Sequence, residues 1–253
     1  MRKYLYIVYN KRSCVTGRAL FEKLKEIGID GYRIRRSINN NPRRPASAII
    51  RWGESQVDRI NTDIDINTSE AVNNAADKMI MAEKLIDAPD VTFPPCSRST
   101  PVDELRDDQG KFFVRNQYDH IRYTANVSAT DRYVVKNIDK AREFRVHVFE
   151  EKVIGVYEKV PHADSDGMIR KDDNSDFKRL DMADRDVRHA IPGVRPQAKA
   201  AVKALGLVYG GVDVAIGRDG TVYVLEVNSA PALNEPNIDR WAILFKNYIE
   251  RGV

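Results

Sequence analysis

Two carboxylates and one amide lie close together in the C-terminal part of the sequence. Asp213 belongs to the apolar run 211–216, and Glu226 and Asn228 belong to a second run, 221–228. Glycine-bounded polar residues separate the two runs, so the pattern predicts a β-hairpin. Carboxylate and amide oxygens are ligands that Mg²⁺ prefers, and this ion commonly takes one or two carboxylates together with substrate phosphates. The segment therefore carries a candidate metal site.

The turn of this hairpin decides which side chains share a face of the sheet. If Gly217 pairs with Gly220 across a two-residue turn, side-chain alternation places Asp213 on the same face as Glu226 and Asn228. The other face then holds only apolar side chains, namely Val212, Val214, Ile216, Tyr223, Leu225 and Val227. A three-residue turn would instead place Asp213 on the opposite face from Glu226. A sheet surface that faces solvent is the alternative to a metal site.

The elements that must position these residues begin with an N-terminal α/β pattern. Residues 4–9 and 46–51 have the composition of strands, and apolar residues recur at helical spacing between them, from Leu20 to Ile27. Strand–helix–strand order indicates a small unit with a parallel sheet. Residues 67–86 then have the pattern of one helix, with a capping box that begins at Asn67.

The pattern changes after a group of prolines between residues 89 and 101. These prolines mark a linker or an extended crossing. Strand-like segments follow at 112–115, 132–136, 143–149 and 153–160, and a polar region predicted to be a loop covers 161–186. We predict an N-terminal α/β subdomain at 1–88, a central subdomain at 89–140 and a C-terminal subdomain with the metal site at 141–253.

Composition places the chain among globular proteins without a membrane segment. Of its 253 residues, 42% are hydrophobic and 31% are charged, and the net charge is +4. The longest apolar run near the start, residues 5–8, is too short to span a bilayer or to serve as a secretory signal. Two cysteines without a CxxC motif favour a reducing, cytoplasmic compartment. The arginines between residues 33 and 44 favour a solvated loop over a contact with polyanions such as nucleic acid.

The spacing of the candidate ligands resembles the magnesium signature of ATP-grasp carboxylate–amine ligases. Glu226 follows Asp213 by 13 residues, Asn228 follows two residues later, and small residues and Pro231 come next. Residues 143–149 are similar to the strand that follows the adenine pocket in this family. Within the family, the chain most resembles RimK-like, phage-type members. The resemblance covers roughly residues 46 to 235.

The resemblance implies a role for each matching residue. Asp213, Glu226 and Asn228 would hold Mg²⁺, or Mn²⁺ in its place. Residues implied in nucleotide binding are Lys78 and Arg115 at the phosphates, Glu143 at the ribose, Lys136, Asn137 and Ile138 around the adenine, and Leu225 elsewhere at the nucleotide. Arg170 and Arg115 would act on the reacting groups as catalytic residues.

The resemblance also implies a fold and a reaction. The fold would be α/β (α+β), with a small N-terminal α/β subdomain followed by two α+β subdomains that clasp ATP. The reaction would join a carboxylate to an amine through an acyl phosphate, with Mg²⁺ and ATP as cofactors and small molecules or peptides as substrates. The resemblance favours a cytoplasmic enzyme, which in this family is often a homodimer.

One departure from the family keeps other functions open. The family's phosphate loop is rich in glycine, whereas residues 116–126 contain none. Either Arg115, His120 and Arg122 supply positive charge instead, or the loop is altered or lost. The alternatives to a ligase are an ATP-grasp phosphotransferase, a non-catalytic nucleotide-binding protein, and a nucleic-acid-binding module that uses the arginines between residues 33 and 44.

Overall fold

The computed structural model describes residues 3–9, 14–37, 46–55, 62–107, 109–115, 121–126, 133–162 and 175–252. The helices are α1 (Val15–Ile27), α2 (Ser69–Ala76), α3 (Lys78–Ile86), α4 (Arg185–Ala190), α5 (Val194–Ala204) and α6 (Glu235–Glu250). The strands are β1 (Lys3–Tyr9), β2 (Tyr32–Ser37), β3 (Ala48–Trp52), β4 (Ile64–Ile66), β5 (Phe112–Arg115), β6 (Ile121–Thr124), β7 (Tyr133–Val135), β8 (Lys140–Phe149), β9 (Lys152–Pro161), β10 (Ser175–Arg179), β11 (Tyr209–Gly217) and β12 (Val222–Asn228). Among the described residues, no helix is long and apolar enough to cross a membrane.

The chain forms two compact units. Unit 1 consists of Met1–Asn73, Gly206–Tyr209 and Asn228–Val253, and unit 2 consists of Asn74–Leu205 and Gly210–Val227. The three-part division expected from the sequence stays a prediction.

Unit 1 is built on a four-stranded parallel sheet in the order β2-β1-β3-β4. Residues 4–9 of β1 are all buried, as are all five residues of β3. Near-continuous apolar strands are typical of parallel sheets covered on both faces. Helices α1 and α6 pack against each other in this unit. The predicted N-terminal α/β unit with a parallel sheet is therefore confirmed.

Aromatic side chains form the centre of unit 1. Trp52 at the end of β3 stacks on Tyr209, with ring centroids 5.4 Å apart, and Trp241 and Phe245 of α6 meet both rings edge-on. The Tyr209 hydroxyl donates a 2.7 Å hydrogen bond to the carbonyl of Arg51. Burial of this ring raises the pKa of Tyr209 well above its ordinary value, so the hydroxyl remains a hydrogen-bond donor.

Unit 2 contains two sheets. An antiparallel three-stranded sheet has the order β6-β5-β7, and a five-stranded sheet has the order β10-β9-β8-β11-β12, in which β10, β9 and β8 pair antiparallel. The sequence predicted most of these strands within a few residues, but β6 falls in the segment expected to be the phosphate loop. The predicted loop over residues 161–186 is wrong in part, because β10 lies within it and pairs with β9. Helix α5 packs against β8 and β9 of the larger sheet.

The predicted helix over residues 67–86 is wrong as a single element. It divides at Asp77, whose carboxylate accepts hydrogen bonds from the backbone N–H groups of Met79 and Ile80 and so caps α3. The predicted cap at Asn67 is also wrong, because the Thr68 hydroxyl accepts the N–H of Ala71 at the start of α2. The division makes Lys78 the first residue of a helix rather than a residue within one.

Asn67 has a structural role instead of a capping role. Its backbone is left-handed, with φ 59°, and its side chain is fully buried. The amide nitrogen donates to the Tyr209 carbonyl at 3.0 Å, and the amide oxygen accepts the N–H groups of Val208 and Tyr209 at 2.8 and 3.2 Å. One side chain thus satisfies three backbone groups of the segment that leads into β11.

We predict that Asn67→Ala lowers the free energy of unfolding by about 2–4 kcal/mol. The substitution leaves three buried backbone groups without their hydrogen bonds, and alanine at this position has a positive φ with no side-chain hydrogen bonds to offset the strain. Urea unfolding followed by circular dichroism measures this loss. Asn67→Gly relieves the backbone strain but not the lost hydrogen bonds, so it should recover only part of the stability. A loss below about 1 kcal/mol in both variants would contradict the assigned role.

Candidate active site

The larger sheet of unit 2 carries charged side chains on one of its faces. Pairing of β8 with β9 sets Arg145 opposite Tyr157, and strand alternation adds Glu143 and His147 to the same face. Phe144 and its neighbour Val146 lie on the other face and are fully buried. Polar side chains on the first face are largely buried as well, so each requires a partner.

Asp213 on β11 is held by Arg145 on β8. The guanidinium donates from Nε to Oδ1 at 2.7 Å and from Nη2 to Oδ2 at 2.8 Å, which is a bidentate ion pair. The two side chains are only 17% and 21% exposed. The pair joins two neighbouring strands across the centre of the sheet.

The charge states of this pair follow from its surroundings. Burial raises the pKa of Asp213, hydrogen bonding to Arg145 opposes that rise, and the nearby charges of Glu226 and Glu143 add to it. Burial alone would lower the pKa of Arg145, but its bond to Asp213 and the three carboxylates raise it above the ordinary value. Arg145 is therefore a permanent cation. The ionised form of the neighbouring carboxylate, Asp213, is stabilised by any further positive charge.

Glu226 on β12 is held by Lys78, the first residue of α3. The Lys78 Nζ atom lies 2.9 Å from the Glu226 Oε1 atom, and the two side chains are 8% and 13% exposed. The cap at Asp77 fixes where α3 begins, and a contact of 3.5 Å between the Met81 sulfur and the N–H of Val227 ties the helix to β12. Lys78 is thus buried against a carboxylate.

Glu143 is the third carboxylate on this face. Its Oε2 atom accepts from Lys140 Nζ at 2.6 Å, and its Oε1 atom lies 3.7 Å from Nζ of the buried Lys159. Because Lys159 comes from β9 and Lys140 from the start of β8, two strands converge on one carboxylate. Any hydroxyl that binds Glu143 must share it with these lysines.

The β11–β12 hairpin has the three-residue turn, one of the two turn lengths that the sequence left open. The N–H of Gly217 donates to the Thr221 carbonyl at 2.8 Å and the N–H of Gly220 to the Gly217 carbonyl at 2.9 Å, so residues 218–220 form a three-residue turn. Gly220 has φ 81°, a left-handed conformation that favours glycine at the last turn position.

By strand alternation, a three-residue turn would place Asp213 on the opposite face from Glu226. Burial along β12 does not alternate strictly, since its two buried residues, Val224 and Val227, are three positions apart. The charge of Glu226 acts on Asp213, because it adds to the raised pKa of that carboxyl. The predicted metal site of Asp213, Glu226 and Asn228 stays a prediction.

Asp213 and Glu226 have the oxygen chemistry that suits a divalent cation. Each is already paired with a cation of the protein, so an ion would have to replace or share these contacts. Among the residues that the structure describes, no three His, Cys, Asp or Glu side chains are grouped as a metal cluster. Asn228 ends β12 and belongs to unit 1.

The other predicted residues lie on strand ends or outside the described part of the chain. Arg115 ends β5. Lys136 and Asn137 are exposed and Ile138 is half-buried in the segment after β7, where the N–H of Lys136 donates to the Pro95 carbonyl at 2.8 Å. Leu225 is half-buried on β12. Residues without a described position include Arg170 and His120.

A surface cavity of about 430 Å³ lies elsewhere in unit 2. Residues 153–156 of β9 line it together with Arg179, the segment 180–183 and Arg195 of α5. None of the predicted site residues lines this cavity. The chemistry of the charged sheet face, rather than the volume of this cavity, therefore defines the candidate site.

The sequence analysis missed three cations of the site, Arg145, Lys140 and Lys159. A signal for Arg145 was present, because it follows Glu143 by two residues in a predicted strand and so must share its face. Lys159 carried no such signal, since its position opposite Glu143 depends on the register between two strands.

Comparison with known proteins supports the fold. No family model matches the chain, and no curated protein does. Among solved structures, a D-alanine–D-alanine ligase from Bacillus anthracis complexed with ATP matches with a TM-score of 0.70 and 16% identity, over 99% of this chain and 97% of that one. The ATP-grasp ligase PsnB, complexed with a phosphomimetic variant of its minimal precursor, Mg and ADP, matches with a TM-score of 0.69 and 15% identity, over 100% of both chains.

The macrocyclase MdnC from Microcystis aeruginosa, bound with its precursor peptide MdnA, matches with a TM-score of 0.65 and 12% identity, over 97% of this chain and 98% of that one. The chain has the ATP-grasp fold. The predicted fold class is thereby confirmed. Identities this low show the fold alone, so the RimK-like subtype and the roles of single residues in this ATP-grasp chain stay predictions.

We predict that a double-mutant cycle with Arg145→Ala and Asp213→Ala gives a coupling energy of about 1–3 kcal/mol, because the pair is bidentate and mostly buried. Chemical unfolding of the four proteins measures it. The Arg218–Asp139 pair, at 71% and 76% exposed, joins the same residue types and is the matched control. Its coupling should be near zero, as is usual for exposed pairs. Equal coupling in both pairs would contradict the account of the site.

Proposed function

We propose that this protein is a Mg-ATP-dependent ligase that joins a carboxylate to an amine through an acyl-phosphate intermediate. The observation that carries the proposal is the electrostatic interaction between Asp213 and Glu226 in an ATP-grasp fold, with each carboxylate paired to a buried or half-buried cation. Similar chains have been solved with ATP, or with Mg and ADP. Phosphoryl transfer requires positioned cations more than a protein nucleophile, and this site offers cations.

The proposed roles follow the position of each residue. Asp213 and Glu226, with Asn228, would hold Mg²⁺ or Mn²⁺, which when bound neutralises charge on the ATP phosphates. Residues proposed to bind the nucleotide are Lys78 and Arg115 at the phosphates, Glu143 at the ribose hydroxyls, Lys136, Asn137 and Ile138 around the adenine, and Leu225 elsewhere at the nucleotide. Arg170 would bind the acyl phosphate, because a guanidinium fork matches its oxygens.

The reaction balances without a protein nucleophile. An oxygen of the substrate carboxylate attacks the γ-phosphorus of ATP, and ADP leaves. The amine nitrogen of the second substrate then attacks the acyl carbon, phosphate leaves, and the nitrogen loses a proton. Lys78 and Arg115 would stabilise the charge that moves onto the phosphate oxygens, and Arg170 would orient the acyl group.

The substrate class is proposed from the similar structures. PsnB and MdnC are described with precursor peptides, and the Bacillus anthracis enzyme is a ligase of D-alanine. We therefore propose a peptide or a small molecule as the carboxylate and amine donors. A cytoplasmic location, a RimK-like or phage-type subfamily and a homodimer belong to the same proposal.

We predict that Glu226→Gln lowers Mg-ATP-dependent ADP release by at least about a hundredfold while leaving the fold intact, because one charged metal ligand is lost. ADP release is measured with pooled peptide and amino-acid carboxylates and amines, and mass spectrometry identifies the product. Glu158→Gln is the matched control, since Glu158 pairs with Arg142 and lies on the opposite face of the same sheet. Full activity in Glu226→Gln would rule out its assigned role, and a phosphorylated product without an amide would identify a phosphotransferase.

A further inference from the structure

Both carboxylates proposed as metal ligands already hold a cation supplied by the protein. Asp213 holds the guanidinium of Arg145 through two hydrogen bonds, and Glu226 holds the ammonium group of Lys78 through one. A divalent ion that binds these carboxylates must therefore replace or share existing contacts. Sequence reasoning assigned Lys78 to the phosphates but gave no role to Arg145.

We propose that Arg145 is a phosphate-binding residue, held on Asp213 before the metal–nucleotide complex binds and transferred to the ATP phosphate oxygens when the metal takes Asp213. This inference rests on the proposed function. In this proposal Arg145 is a counter-ion that changes partner, so the binding of metal to Asp213 is coupled to the binding of phosphate to Arg145.

The energetic argument begins with what Arg145 would lose. If a divalent ion took both oxygens of Asp213, the mostly buried guanidinium would remain beside it without its bidentate partner. A buried charge whose partner is removed is strongly destabilising, and repulsion by the adjacent metal would increase that cost. The metal alone should therefore bind weakly.

The neighbouring carboxylates cannot replace Asp213 as a partner without breaking other pairs. Glu143 and Glu226 both act on Arg145, since their charges contribute to its raised pKa. Each already holds lysine, however, at 2.6 Å from Lys140 and 2.9 Å from Lys78. The phosphate chain of the nucleotide binds together with the metal, and its negative charge can pair with Arg145 in place of Asp213.

Two features suit Arg145 to this transfer. A planar guanidinium fork matches phosphate oxygens as well as it matches a carboxylate. The guanidinium also lies over the ring of Phe177 on β10, 5.0 Å from its centroid, and this ring is 45% exposed. Stacking on Phe177 does not depend on Asp213, so it can retain the side chain while the fork changes partner.

The consequence is a reciprocal coupling between metal and nucleotide. Because Arg145 opposes the metal when phosphate is absent and binds phosphate when it is present, each ligand should strengthen the binding of the other. Removal of the guanidinium should weaken this coupling in two ways. Metal alone should bind more tightly, and the gain that the nucleotide brings should shrink.

Electron paramagnetic resonance of free Mn²⁺ tests both effects on the full chain. Mn²⁺ is titrated with and without the non-hydrolysable analogue AMP-PNP into wild type, Arg145→Gln and Arg142→Gln. Arg142 is the matched control, because it forms a bidentate pair with Glu158, at 2.6 and 2.9 Å, on the opposite face of β8. Circular dichroism verifies that each variant is folded.

We expect Arg145→Gln to bind Mn²⁺ alone about tenfold more tightly than wild type and to lose about tenfold of the gain from AMP-PNP, whereas Arg142→Gln behaves like wild type. Arg145→Lys keeps the positive charge but lacks the bidentate guanidinium. It should therefore bind Mn²⁺ alone weakly, as wild type does, and lose part of the increase in Mn²⁺ affinity that AMP-PNP brings. This variant carries the test if Arg145→Gln does not fold.

The outcomes separate this inference from the proposed function. Suppose that wild type and the Arg145 variants all bind Mn²⁺ tightly with AMP-PNP, and that AMP-PNP raises the Mn²⁺ affinity by the same factor in each. The role of Arg145 is then overturned, and the metal–nucleotide site stands. Equal effects of the Arg142 and Arg145 variants overturn it as well. If wild type binds no Mn²⁺ even with AMP-PNP, the proposed function fails and this inference fails with it.

Discussion

The need to pair charges on a half-buried sheet face governs the organisation of unit 2. Three carboxylates of β8, β11 and β12 pair with four cations supplied by α3, β8 and β9, at a depth where an unpaired charge would cost several kcal/mol. The bidentate bond between Arg145 and Asp213 is central among these pairs, because it joins β8 to β11 and lies within the influence of both other carboxylates.

Several ordinary features of the fold serve that arrangement. The left-handed Gly220 closes the hairpin that brings β11 beside β12, and the cap at Asp77 starts α3 where Lys78 can reach Glu226. The opposite face of β8 carries the fully buried Phe144 and Val146, which anchor the sheet, together with the pair of Arg142 and Glu158. The ATP-grasp fold thus supplies a sheet face whose charges are paired.

Sequence patterns predicted the elements better than the contacts between them. Strand runs, the hairpin and the N-terminal parallel sheet are local patterns of apolar residues, and the structure has them. The sequence left the turn length open, because Gly217 and Gly220 fit a two-residue or a three-residue turn. The single long helix was wrong because Asp77 prefers to cap rather than continue a helix. Arg145 and Lys159 were missed because their partners come from other strands, and strand register is not written in local composition.

The candidate ligands were chosen by their spacing rather than by the length of the turn. The spacing of Asp213, Glu226 and Asn228 is a property of the sequence and needed no register. The sequence could not predict which cation pairs with which carboxylate. The burial of Lys78 and the contacts of Glu143 with two lysines depend on how the elements pack. Arg170 lies outside the described residues, so its role stays a proposal.

Calorimetric titration of ATP into the wild-type protein, with and without Mg²⁺, tests the central claim most directly. The account predicts saturable binding that requires Mg²⁺, because phosphate and metal together must replace the ion pairs of Asp213 and Glu226. An absence of binding at millimolar ATP in the presence of Mg²⁺ would contradict it, and would mean that the charged sheet face stabilises the fold without serving a nucleotide.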